Sequence, residues 1–315
     1  MSTQLTVSTS PHVHSEFSTR GIMFTVILAL LPAGITSVYF LGLRSLAVIA
    51  ACILACVLSE FFWQKCVMKT KVTVCDLSAV VTGLLLAYNL PPTMPIWMAV
   101  CGSIFAIIVV KQFYGGLGCN IVNPALAARA MMLISWPTAM TTWTVQGISG
   151  ATPLAAMKAG NAVNLSCWDM IVGNMGGCIG ETCSILLILG GAYLIWENVI
   201  SWRIPVVYIA TAAILGALFG HGSVTAEIFT GGLLIGAFFM ATDYTTSPMS
   251  AKGQYIYAFG CGLLTALIRT WGGYPEGVSF SILIMNVAVP LIDMYTAPRI
   301  LGAPKSNFFK RVGGK

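Results

Sequence analysis

Charge is scarce in this chain. Of 315 residues only 8% are Asp, Glu, Lys or Arg, while 57% are hydrophobic, more apolar surface than a soluble core of this size can bury. That excludes a soluble domain, and it recasts the 16 basic residues behind the net charge of +6 as topology signals rather than a phosphate-binding face. No nucleic-acid partner is expected. Histidine is rarer still: His12 and His14 sit in a polar leader and His221 between two glycines, so no pair is placed to ligate haem inside a bilayer. No C-x-x-C pair occurs among the ten cysteines, which argues against a cluster or zinc site built by this chain alone. Cys52, Cys56, Cys66, Cys75, Cys101 and Cys261 lie in or beside apolar stretches and read as packing thiols. Cys178 and Cys183 are the pair to consider for a cluster shared with a partner subunit, with buried spectators as the alternative. The first 17 residues lack an apolar core and a small-residue cleavage site, so no removable signal peptide is expected.

What is present is a series of long apolar runs. At roughly 20 residues per crossing, spans are expected at 21–42, 45–63, 76–90, 96–112, 121–136, 180–197, 204–220, 225–242, 255–271 and 278–296. The fold class is therefore an all-α integral membrane protein with about ten transmembrane helices. Ten crossings put both ends on one side. If that side is the cytoplasm, it receives Arg20, Lys65, Lys69, Lys71, Lys111, Arg203, Lys252, Arg299, Lys305, Lys310, Arg311 and Lys315, against Arg44, Arg129, Lys158 and Arg269 outside. This bias places the long loop between the fifth and sixth spans on the outer face.

The two halves echo each other. Leu77–Tyr88 and Ile228–Thr242 make only about 18 and 22 Å of helix, short of the ~30 Å hydrocarbon core. Thr82-Gly83-Leu84-Leu85 matches Thr230-Gly231-Gly232-Leu233-Leu234, and each segment ends in a polar, proline-containing turn, Asn89-Leu90-Pro91-Pro92-Thr93 and Asp243 to Pro248. Lys111 before Tyr114-Gly115-Gly116 parallels Arg269 before Trp271-Gly272-Gly273. Five spans per half is odd, so the second copy must run upside down: two five-helix inverted repeats with short or broken helices. Short helices packed through glycine are the plainer alternative. The expected divisions are a polar cytoplasmic leader 1–20, a first repeat 21–136, an outer loop 137–179, a second repeat 180–297 and a basic cytoplasmic tail 298–315.

Asp76 and Asp243 lie at the ends of the short segments. Each reads either as part of an ion path or as local structure, Asp76 capping a helix from Leu77 and Asp243 forming a turn. Arg129, inside the fifth span, must find an acceptor or snorkel to water. In the outer loop, Ser149-Gly150-Ala151 strips away side-chain bulk before Thr152, and Pro153 biases Thr152 toward extended backbone. The expectation is a hydroxyl presented to a modifying enzyme, with no base beside it to make it a nucleophile. Read alone, the motif is equally an ordinary surface turn. Gly176-Gly177-Cys178-Ile179-Gly180 offers either backbone N–H groups to an anion or close helix packing.

Ser149-Gly150-Ala151-Thr152, with Leu154 two residues on, resembles the site at which a flavin transferase attaches FMN to threonine through a phosphoester. The order of Ser10-Pro11-His12-Val13, Ser18-Thr19-Arg20-Gly21-Ile22-Met23, Asp76 to Gly83, Asn89-Leu90-Pro91-Pro92, Gly115 to Gly118, Asn123-Pro124-Ala125, Gly180-Glu181-Thr182 and Ala241-Thr242-Asp243-Tyr244 resembles the D-type membrane components of Rnf complexes, the ion-translocating ferredoxin:NAD oxidoreductases. The same family includes the B-type component of the sodium-pumping NADH:quinone oxidoreductase, which is longer at its N-terminus. Cys119 stands where many relatives have histidine. The resemblance implies covalent FMN on Thr152, with Ser149, Gly150, Ala151 and Leu154 around it, in a redox subunit that is inactive alone. Its complex couples electron flow to Na⁺ or H⁺ movement in the bacterial cytoplasmic membrane. It implies as partners the other membrane subunits, a flavin-bearing G-type component, iron-sulfur subunits and a flavin transferase. Some members also hold a non-covalent riboflavin, for which no residues are assigned here. A solute transporter or channel with an inverted repeat is the reading from a different class.

Overall fold

The computed structural model describes residues 18–70, 72–145, 148–150, 152, 154, 158, 168, 171, 176–219, 224–273 and 276–298. The first helix, α1 (Thr19–Leu41), starts where the Ser18 hydroxyl accepts the Gly21 N–H at 3.1 Å, a side-chain N-cap. It turns into α2 (Leu43–Phe62) through the single residue Gly42, whose φ of 84° suits a residue without a side chain. α2 continues as a π-helical stretch to Val67. Then come α3 (Ser78–Tyr88), α4 (Ile96–Ile104) with a π-helical continuation Phe105–Gln112, α5 (Pro124–Ser135) and α6 (Pro137–Thr141). Further along the chain follow α7 (Ser184–Trp196), α8 (Arg203–Leu218), α9 (Val224–Phe229), α10 (Leu233–Ile235) with a π-helical continuation Gly236–Met240, α11 (Ala251–Trp271) and α12 (Val278–Thr296).

Every span expected from the sequence coincides with a helical segment, and the eighth is broken at Thr230–Gly232. Among the described residues, three helices are long and apolar enough to cross a membrane alone, Thr19–Leu41, Leu43–Val67 and Val278–Thr296. The chain is an all-α integral membrane protein with one small exception. β1 (Trp143–Val145) pairs antiparallel with β2 (Ile148–Gly150) in a two-stranded ribbon between α6 and α7.

The short helices are buried by close backbone approach. Gly83 of α3 faces α2 so tightly that a Cβ there would lie 2.8 Å from Ile53 Cα. In lipid, where apolar contact gives no hydrophobic driving force between helices, such small residues let dispersion hold the pair. Ten of the eleven residues of α3 are buried.

Corresponding features recur in the two halves. Leu77 precedes α3 with φ 62° and ψ 2°, and Gly232 precedes α10 with φ 67° and ψ 12°. These left-handed caps lie 155 residues apart, so the two half helices align seven residues away from the Thr-Gly-Leu-Leu match. Thr82 and Gly83 lie inside α3, whereas Thr230 and Gly231 precede α10; that match is coincidental. Beside each left-handed cap lies a buried ion pair. Lys111 Nζ donates to Glu60 Oε1 (2.9 Å) and Ser78 Oγ (2.7 Å) at the start of α3. Arg269 pairs with the Glu227 carboxylate and donates to the backbone oxygens of Glu227, Thr230 and Gly231 before α10. At their far ends the half helices meet, Asn89 Nδ2 lying 3.5 Å from Met240 Sδ.

Candidate functional site

Ser149 and Gly150 form the end of β2, and Ala151 lies outside the described residues. Thr152 is buried, with 4% of its surface exposed. The expectation of a hydroxyl presented to visitors is therefore corrected. The physical reason is Leu154, itself buried, which packs against Gly231 so closely that a Cβ at Gly231 would collide with Leu154 Cδ1, next to an Arg269 terminal nitrogen. The small residues of the motif thus end in an apolar anchor set into the break before α10. Lys158 donates to the Gly272 carbonyl at the end of α11.

One feature of this setting fits a tethered phosphate, and the start of α10 is not it, because Glu181 Oε1 lies against Gly232 and a carboxylate there repels an anion. Arg269 packs against Gly231, and its Nε is buried without a partner. The anion cradle expected at Gly176 to Gly180 is not what forms. Ile179 N–H donates to Leu90 O, a Cβ on Gly180 would strike Tyr88, and Gly177 lies against the Glu181 carboxylate. These glycines serve packing, and the carboxylate beside them repels an anion.

Arg129 does find an acceptor. Its guanidinium pairs with Glu276 and Ser279 and lies 3.7 Å from Cys178 Sγ, joining α5, the residues ahead of α7 and the start of α12. Cys178 in turn donates to Asn89 O at 3.3 Å, at the end of α3. Sequence reasoning singles out Arg129 and Cys178 but misses Glu181 and Glu276 as their neighbours. It also misses Glu60 and Glu227, although a carboxylate within an apolar run is itself a signal.

Asp76 ends a 3-10 turn, Val74–Asp76, and α3 starts only at Ser78, capped by Leu77 without a side-chain hydrogen bond. Asp76 is not the cap, because the left-handed Leu77 intervenes. Asp243 does form a turn: its backbone oxygen accepts from Thr246 and Ser247, and Oδ2 accepts from Thr245, Thr246 and Asn120. Burial pushes its carboxyl up, against those hydrogen bonds. It borders a cavity of about 110 Å³, walled by Val26, Leu85 and Phe239 and carrying the polar groups of Lys111, Asn120 and Asn123.

Comparison with known proteins bears on the reading. The family model described as NQR2, RnfD, RnfE matches residues 6–302. The chain is 52% identical, over 96% of both chains, to the D component of the Na⁺-translocating ferredoxin:NAD⁺ oxidoreductase complex of Acetobacterium woodii. It is 47% identical, over 93% of this chain and 95% of the other, to the D component of the proton-translocating ferredoxin:NAD⁺ oxidoreductase complex of Clostridium ljungdahlii. It is 35% identical, over 95% and 99%, to the D component of the ion-translocating oxidoreductase complex of Aliivibrio salmonicida.

Proposed function

The chain belongs to the NQR2, RnfD, RnfE family, and on that premise we propose that it is the D-type membrane component of an ion-translocating ferredoxin:NAD oxidoreductase, carrying FMN on Thr152. The observation that carries the flavin assignment is Ser149-Gly150-Ala151-Thr152 with Leu154 locked against Gly231. The likeness to proteins named for ferredoxin:NAD oxidoreductases supports this reading over a solute transporter. The same names support the D-type component over the B-type.

When bound, the flavin supplies one- and two-electron redox chemistry. The residues of this chain fix where that chemistry happens. Thr152 would provide the ester oxygen, Leu154 would pin the tether, and Arg269 would offset phosphate charge. Thr152 is buried, so on this reading a flavin transferase reaches the hydroxyl only while Leu154 is withdrawn from Gly231. Attachment therefore precedes closure of the segment.

The remaining membrane, flavin-bearing and iron-sulfur subunits of the complex are the partners, in the bacterial cytoplasmic membrane with the flavin loop outside. The test is flavin fluorescence on a denaturing gel, with the chain made alongside a flavin transferase. Wild type fluoresces and Thr152→Ala does not. A dark wild-type band contradicts the assignment, and solute uptake by the chain reconstituted alone favours the transporter.

A further inference from the structure

A cluster of ligating groups lies apart from the flavin threonine. Cys178 Sγ, a Glu181 carboxylate oxygen and a Glu276 carboxylate oxygen all lie within 4.8 Å of one another. Cys178 and Glu181 are buried and the Glu276 side chain is 11% exposed. Two separate stretches hold the groups in place. Cys178 and Glu181 sit on one turn, closed by Glu181 N–H to Cys178 O, and Glu276 comes from the linker before α12.

The cluster already holds a cation, the Arg129 guanidinium, which touches both Glu276 and Cys178 Sγ. Its fit is incomplete, because Arg129 Nε is buried with no partner. Fully ionised, the thiolate and two carboxylates carry three negative charges against the one positive charge of arginine. The deficit equals one divalent ion. We propose that Cys178, Glu181 and Glu276 form a binding site for a single divalent metal ion of the zinc and ferrous-iron class.

The donor set selects that class. Thiolate sulfur favours zinc or ferrous iron over sodium, magnesium or calcium, which prefer all-oxygen shells. Metal–sulfur and metal–oxygen distances of about 2.3 and 2.0–2.2 Å need the three donors to close inward by about 1 Å, within the reach of side-chain rotation. Binding removes the thiol proton that Cys178 now gives to the Asn89 carbonyl, and that proton leaves to solvent. Arg129 keeps Glu276 and Ser279 as partners, so Glu276 bridges metal and guanidinium. The three donors are spread over residues nearly a hundred positions apart in the chain, which is why cysteine spacing alone argues against a zinc site.

The test uses the full chain purified in detergent with Cys66, Cys75, Cys101, Cys119 and Cys167 replaced by serine, and Co²⁺ as probe. One equivalent of Co²⁺ is expected to bind with a thiolate-to-metal absorption band, and Zn²⁺ but not Ca²⁺ is expected to displace it. Cys178→Ser and Glu181→Gln should each weaken binding at least 10-fold, with a thermal melt showing that both variants are folded. Glu276→Gln provides a third arm should either fail to fold. Absence of the band in the parent chain, or stoichiometric Co²⁺ binding that survives the folded variants, overturns the proposal.

Discussion

Leu154, two residues from Thr152, sets its side chain against Gly231, and on the proposed reading this contact holds the segment closed. Truncating a buried leucine to alanine costs about 2–5 kcal/mol, concentrated here on a local closure. Leu154→Ala should leave the helices intact and make the segment around Thr152 open to protease, read by limited proteolysis of the detergent-purified chain. Unchanged cleavage would show that something else holds the segment down. The sequence singles out Thr152 by its neighbours but does not reveal its burial. The small residues before it suggest access, and only the three-dimensional approach of Gly231, 77 residues beyond Leu154, reverses that. Arg129 followed the same course: its need for an acceptor was plain, but Glu276 came from the other half of the chain.

Among the elements, the half helices α3 and α10 carry the most consequence. Each starts from a left-handed residue beside a buried ion pair. Removing one partner of such a pair strands a charge and costs about 3–5 kcal/mol, while replacing both by apolar groups is often neutral. Lys111→Met should therefore lower the thermal midpoint in detergent, and Lys111→Met with Glu60→Leu should restore much of it. Equal loss in the double variant would mean that Glu60 matters through Gln64 and Gln112, which also bond it. Gly83→Val should be worse than either single charge change, because its first carbon meets the Ile53 backbone, and the same melting assay measures it. Sequence length exposed these two segments as too short to span, and their proline-rich ends were visible. The Thr-Gly-Leu-Leu register misled because glycine recurs throughout the chain. The π-helical stretches Trp63–Val67, Phe105–Gln112 and Gly236–Met240 left no trace in periodicity. Extra residues in a turn alter bonding without changing an apolar composition.

For the molecule as a whole, the bias of basic residues predicts the sidedness of the chain, and with it the face on which the proposed flavin would work. Cys66 is exposed after α2, and Lys158 is exposed in the loop between α6 and α7. In intact cells, a membrane-impermeant thiol reagent should label Lys158→Cys and leave Cys66 untouched until the membrane is opened. The reverse pattern would invert the chain and put the loop inside. Hydropathy made the all-α membrane class evident, and the ordered motifs made the family evident; the meeting of the half helices at Asn89 and Met240 needed the fold. The central claim is that this fold holds a flavin covalently at one threonine. The most direct measurement is mass spectrometry of the proteolysed, transferase-matured chain. The account predicts that the peptide containing Thr152 gains the mass of FMN less one water, with fragmentation placing it on that residue. An unmodified Thr152 peptide, or flavin located on any other residue, would contradict it.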